Sequence, residues 1–82
     1  MDIYYNATTF TLATQLIILE DNGKETIKIV NNSPDAVARC IHHILDTTKS
    51  TRIIVHIRGE KFINQHFIKF FAGHKRIEIR EF

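Results

Sequence analysis

The side chains of this 82-residue chain with chemistry to offer are five histidines, one cysteine and a basic run toward the C-terminus. His42 and His43 are adjacent, and adjacent residues on a helix point about 100° apart, so their rings do not share an ion. His42 and Asp46, at i and i+4, share a helix face. Two ligands make no metal site, and a solvated pair is the expectation. His66 and His74 lack a third ligand. His56 falls in an apolar run, where a tucked-in, hydrogen-bonded imidazole is expected. Cys40 falls on the apolar stripe of a helix, where a thiol behaves as a small hydrophobe. Scattered hydroxyls single out no nucleophile and base. Gly23, Gly59 and Gly73 are isolated, so no phosphate-cradling loop exists. These residues point to no catalytic group, no metal and no cofactor.

The basic run is the remaining candidate. Residues 1–38 carry a net charge of −3 and residues 39–82 a net charge of +5, with all five histidines in the second part. Arg58, Lys61, Lys69, His74, Lys75, Arg76 and Arg80 form the candidate partner-binding surface. Such a density of cations attracts phosphates or an acidic protein surface in a salt-dependent way. No RNA-binding aromatic signature accompanies it, which weakens the nucleic-acid version.

The elements that must position these groups are legible. Residues 52–58, Arg-Ile-Ile-Val-His-Ile-Arg, read as a central strand covered on both faces. Residues 2–12, rich in Tyr, Thr and Phe, read as a first strand, with Tyr4, Asn6, Thr8, Phe10 and Leu12 on one face and Ile3, Tyr5 and Ala7 on the other. Residues 15–20 and 25–30 flank Asn22-Gly23, the signature of a two-residue type I′ hairpin. That loop places Ile18 opposite Ile27 and Leu16 opposite Ile29, and these four form the expected core face. Ser33-Pro34-Asp35 opens a helix: a cap, a first-turn proline and an acid at the positive end of the macrodipole. Val37, Cys40, Ile41, Ile44 and Leu45 make its buried stripe. A second helix, residues 60–72, carries Phe62, Ile63, Phe67, Phe70 and Phe71 inward and Lys61, Asn64, Gln65 and Lys69 outward. Five large apolar residues on one helix imply either deep burial, the favoured reading, or a part of the face, Phe62 or Ile68, left over for a partner. Residues 75–82 alternate cleanly as a last strand with one wet face.

The order β-β-β-α-β-α-β then specifies a topology. Helical crossovers make the central strand parallel to the third, and the last parallel to the central one. A mixed five-stranded sheet ordered 3-2-1-4-5 satisfies this, in a single α/β (α+β) domain spanning 1–82. The element order resembles that of ribonuclease H-like folds, across the whole chain. That resemblance implies carboxylates on the first strand, the first helix and the end of the fourth strand, holding two metal ions. The nearest positions here carry Asn6, Asp35, and His56 or Arg58. The cap explains Asp35, and an arginine repels a metal, so the resemblance implies the scaffold without its metal site.

The chain is near the lower size at which one core suffices. Its apolar fraction of 44% and charged fraction of 24% are those of a soluble protein. The longest apolar runs are too short to span a bilayer, the start resembles no signal peptide, and a lone cysteine fits a reducing, cytoplasmic setting. The expected function is a small non-catalytic binding protein, a regulator or inhibitor of the kind mobile elements use against a larger host protein or nucleoprotein complex. Its partner is a protein, with nucleic acid as the alternative through the basic half. A cryptic metal-dependent nuclease is the least supported reading. No membrane partner is expected, and a homodimer through either sheet edge, 25–30 or 75–82, is compatible with all of these.

Overall fold

The computed structural model describes residues 1–8 and 11–82. The elements are β1 (Asp2–Asn6), β2 (Ala13–Leu19), β3 (Glu25–Asn31), α1 (Pro34–Thr47), β4 (Ile53–Arg58), α2 (Lys61–Phe70) and β5 (Ile77–Glu81). The strands form one mixed sheet in the order β3-β2-β1-β4-β5. β1 pairs antiparallel with β2 and parallel with β4, and β4 pairs parallel with β5. This is the strand order that the sequence implies. Both crossovers, β3 to β4 and β4 to β5, move across the sheet in the same direction. Right-handed connection therefore puts both helices on one face, and the other face is left without a second layer.

Alternation along the strands follows from this two-layer build. Ile3 and Tyr5 of β1, Leu16 and Ile18 of β2, and Ile53, Val55 and Ile57 of β4 point under the helices and are buried. Val37, Ala38, Ile41, Ile44 and Leu45 of α1 and Ile63 and Phe67 of α2 close over them. Burial of each such aliphatic side chain contributes about 1.5–3 kcal/mol. The Tyr5 ring, 5.8 Å from that of Phe67, sends its hydroxyl out of the core to donate to Asn32 Oδ1 at 3.1 Å. Burial pushes the Tyr5 phenol above its ordinary value.

Both ends of α1 are closed by side chains. Ser33 Oγ accepts from the Ala36 amide at 3.2 Å, Pro34 occupies the first turn, and Asp35 pairs with Arg39 one turn on. At the other end the Thr48 amide donates to the Ile44 carbonyl. The half-buried Arg76 guanidinium then donates to the carbonyls of Leu45 and Thr48 at 3.2 Å and to that of Ser50. A cation placed against carbonyls that have no helical partner suits the negative end of the macrodipole. Gly59, which turns β4 into α2, lies against Ala7, just past the end of β1. A Cβ there would stand 3.0 Å from Ala7 Cβ and 3.3 Å from Ile63 Cδ1.

Four sequence expectations are corrected. The first strand ends at Asn6, not Leu12: Asn6 Oδ1 accepts from the Thr8 amide and hydroxyl, and this Asx turn stops the ladder. Leu12 is 96% exposed, and the expected place of Phe10 lies outside the described residues. The hairpin loop has three residues, Asp21 to Gly23. The Glu20 amide donates to the Lys24 carbonyl at 2.8 Å and the Gly23 amide to the Glu20 carbonyl at 2.9 Å. Only Gly23, at φ +86°, is left-handed, where a type I′ turn needs two such residues in succession. Ile17 therefore faces Ile27, Gln15 faces Ile29, and Leu16 faces Lys28. The third correction concerns α2, which buries Asn64 and leaves Phe62 62% and Ile68 56% exposed. The Asn64 amide donates to Glu81 on β5, which gives this buried polar side chain a partner on the sheet. Finally, Cys40 is only half-buried, and Ala38 takes the core position beside Val37.

Candidate functional site

The uncovered face of the sheet is where the sequence places groups that the core does not use. Its residues come from alternate positions of all five strands. One cross-strand row runs Leu19, Asp2, Ile54, Glu78, and the next runs Ile27, Ile17, Tyr4, His56, Arg80. Over β2 and β3 the face is apolar: Ile27 is 51% and Ile29 66% exposed, with Ile17 half-buried between them and Leu19 alongside. The three-residue loop is the cause. With the two-residue loop, Ile27 and Ile29 would lie under α1. One extra loop residue turns them to the open side and gives Thr26, Lys28 and Val30 to the helix side.

Over β1 and β4 the face turns aromatic and polar. The rings of Tyr4 and His56 stack on neighbouring strands, and Phe82 meets both edge-on at 5.8 and 6.3 Å. His56 Nε2 donates to Asp2 Oδ1 at 2.8 Å, which holds the imidazole upright beside the tyrosine. The half-buried, hydrogen-bonded role expected for His56 is the one found. Farther out, Arg52 donates to Glu78 at 2.9 Å, and Arg80 pairs with the same carboxylate. Partial burial would raise the Glu78 carboxyl, but the hydrogen bonds and charges of Arg52 and Arg80 outweigh it and hold it below its ordinary value. Arg58 stands with its guanidinium carbon 5.0 Å from the Phe82 ring centroid and donates to the Phe82 carbonyl at 3.2 Å.

The basic residues singled out from the sequence come from β4, α2, the following loop and β5, and one of them, Arg76, is taken up by backbone carbonyls. Arg58 and Lys61 lie at the carboxyl end of β4. Lys69 is eight helical positions from Lys61, which is about 12 Å, in the last turn of α2, and His74 and Lys75 follow the end of that helix. Arg80 is on the open face with Glu78. Arg76 is committed to the α1 carbonyls described above. His74 packs edge-on to His42, with ring centroids 5.5 Å apart, and also against Phe71.

The groups that could have held a metal stay apart. Asn6 is the Asx-turn residue beside Arg58, and Asp35 is in the first turn of α1 with Arg39. His42 Nδ1 is 3.4 Å from Asp46, and His66 packs on Phe67 and Phe70. Among the described residues no three His, Cys, Asp or Glu side chains come together as a metal site, and no helix is long and apolar enough to cross a membrane.

The sequence reading missed the apolar strip of Ile17, Leu19, Ile27 and Ile29. Residues 16–19 are apolar at both parities, so alternation alone does not choose a face, and the turn decides. Comparison with protein-family models, curated proteins and solved structures finds no match for this chain.

Proposed function

We propose that this protein is a small non-catalytic binding protein that acts through protein–protein contact, as a regulator or inhibitor of a larger protein or nucleoprotein complex. The observation that carries the reading is the open sheet face, on which an exposed apolar strip lies beside a ring cluster and a row of arginines. An exposed apolar strip bordered by polar groups is what an interface with another protein needs. Chemistry would instead need converging groups, and on this face His56, Asp2, Glu78 and Arg80 are already paired with one another or with neighbours.

Affinity capture from the source lysate tests this, with wild type compared against Ile17→Lys. Ile17 points to the open face, so the variant keeps its core. The expected result is a partner held by wild type and released by the variant, with direct titration of the purified partner reproducing the difference. Equal retention by both proteins, or no specific partner for wild type, overturns the reading. The nucleic-acid alternative has its own arm in Arg58, beside the exposed Phe82 ring, and Lys61 at the start of α2. Single-stranded RNA or DNA bound at low salt, and lost in Arg58→Glu/Lys61→Glu, would favour it over a protein partner.

A further inference from the structure

β3 is an edge strand whose outward backbone groups and exposed apolar side chains belong to the same residues. The Glu20–Lys24 hydrogen bond sets the phase of the β2–β3 ladder. Lys24, Thr26, Lys28 and Val30 turn their amides and carbonyls toward β2. Glu25, Ile27 and Ile29 turn theirs to the outer edge, and so does Asn31, whose carbonyl also accepts from the Ser33 amide at 2.9 Å. Ile27 and Ile29 also project from the open face, 51% and 66% exposed. The opposite edge, β5, differs: its open-face side chains are Glu78 and Arg80, already ion-paired. Charges of that kind discourage pairing, whereas β3 holds no proline, and Lys28 is the one charge in its interior.

We propose that β3 pairs antiparallel with β3 of a second copy of this chain, across a two-fold axis that passes through Lys28 perpendicular to the sheet. The strand is its own complement about that point. Ile27 meets Ile29 of the second copy and Ile29 meets its Ile27, both in hydrogen-bonded pairs on the open face. Thr26 meets Val30 on the helix side, and Glu25 meets Asn31 at the ends. An axis on Ile27 would instead set Ile29 against Glu25 twice. The unfavourable element of the chosen register is Lys28 facing Lys28 of the second copy, on exposed stems that splay apart. The resulting ten-stranded sheet joins the two strips of Ile17, Leu19, Ile27 and Ile29 into one continuous apolar band. This dimer does not depend on the partner reading above: it is an association of the purified protein alone, and Ile17→Lys leaves its hydrogen bonds and its Ile27–Ile29 pairs in place.

Sedimentation equilibrium with far-UV circular dichroism tests the inference. Wild type is expected to be a dimer, and Ile27→Arg and Ile29→Glu are each expected to be monomers with an unchanged spectrum, since both positions face solvent in the single chain. The double variant I27R/I29E is expected to dimerise again, because the register sets the new arginine opposite the new glutamate of the other copy. Lys28→Thr removes the like-charge pair and is expected to tighten the dimer roughly two- to five-fold. An independent readout is Lys28→Cys in a Cys40→Ser background. At a non-hydrogen-bonded pair on the axis it is expected to form an intermolecular disulfide under mild oxidation, while Thr26→Cys in that background does not. A monomeric wild type overturns the dimer. A dimer that survives both single variants overturns the β3 edge. A double variant that stays monomeric, or a Lys28→Cys protein that fails to cross-link, overturns the register.

Discussion

The ring of Tyr4 lies parallel to the imidazole of His56, with centroids 4.4 Å apart and planes inclined by 8°. The two residues are direct neighbours in the parallel β1–β4 register, 52 positions apart in the chain. Their contact ties the first strand to the fourth on the side that no helix covers. Asp2 completes the arrangement by accepting from the His56 ring, so three side chains on two strands stiffen the middle of the open face.

That stack is expected to carry measurable coupling. In a double-mutant cycle of Tyr4→Ala and His56→Ala, followed by urea unfolding, the interaction energy is expected to be about 0.5–1.5 kcal/mol, the range for aromatic pairs beyond their area burial. A coupling near zero would mean that the rings merely share a face.

Arg76 is expected to be a stability residue rather than a binding residue. Its guanidinium satisfies carbonyls at the end of α1 and in the following loop. Arg76→Ala leaves these half-buried acceptors without their donor and is expected to cost roughly 2–3 kcal/mol. Arg76→Lys recovers only part of this, since one ammonium does not span three carbonyls. Lys75→Ala, at the exposed neighbour, is expected to stay within about 0.5 kcal/mol of wild type. Chemical denaturation of the three variants checks the order.

The hairpin turn makes an opposite pair of predictions at adjacent residues. Gly23 holds φ +86°, so Gly23→Ala is expected to cost about 1–2 kcal/mol. Asn22 is not left-handed, and its side chain accepts only an exposed hydrogen bond from the Lys24 amide. Asn22→Ala is expected to cost a few tenths of a kcal/mol, roughly one net exposed hydrogen bond or less. A type I′ turn would make both changes costly.

The Glu78 carboxyl, held below its ordinary value by Arg52 and Arg80 despite partial burial, links stability to pH. Its folded form binds a proton less readily than its unfolded form. The stabilisation is therefore complete above the ordinary carboxyl value of 4.5 and is lost as pH falls through the lower, folded value. Glu78→Gln is expected to be less stable than wild type at pH 7, and the gap is expected to close on acidification below about pH 4.5. Thermal unfolding of both proteins across that window measures it.

How far the sequence led depends on the kind of signal each element carried. The start of α1 was legible because Ser33, Pro34 and Asp35 each act locally, through a cap, a preset φ and a charge. β4 was legible as a strand because its apolar residues run nearly unbroken, but the cover on both faces that such a run implies is not found, since Ile54 and His56 lie on the open face. The hairpin was legible as a hairpin but not in register, since a turn with one left-handed residue and a turn with two can share the same Asn-Gly pair. The orientation of α2 was not legible, because a buried amide paired with Glu81 on another element looks like a solvent-facing asparagine in the sequence. The basic cluster read from residues 58–80 rested on charge alone, and the sequence does not show that the fold commits Arg76 to the carbonyls at the end of α1.

The sequence by itself determined the order of elements and, through it, the strand order 3-2-1-4-5. Short connections and right-handed crossovers leave few other ways to close a β-β-β-α-β-α-β chain. Only the tertiary structure decided what the surface is made of. Side chains on a strand alternate with period two, so one residue more in the loop at Asp21 to Gly23 moved Ile27 and Ile29 from beneath α1 to the open face. The proposed interface rests on those two residues, and a long-range ladder, not their local sequence, put them there.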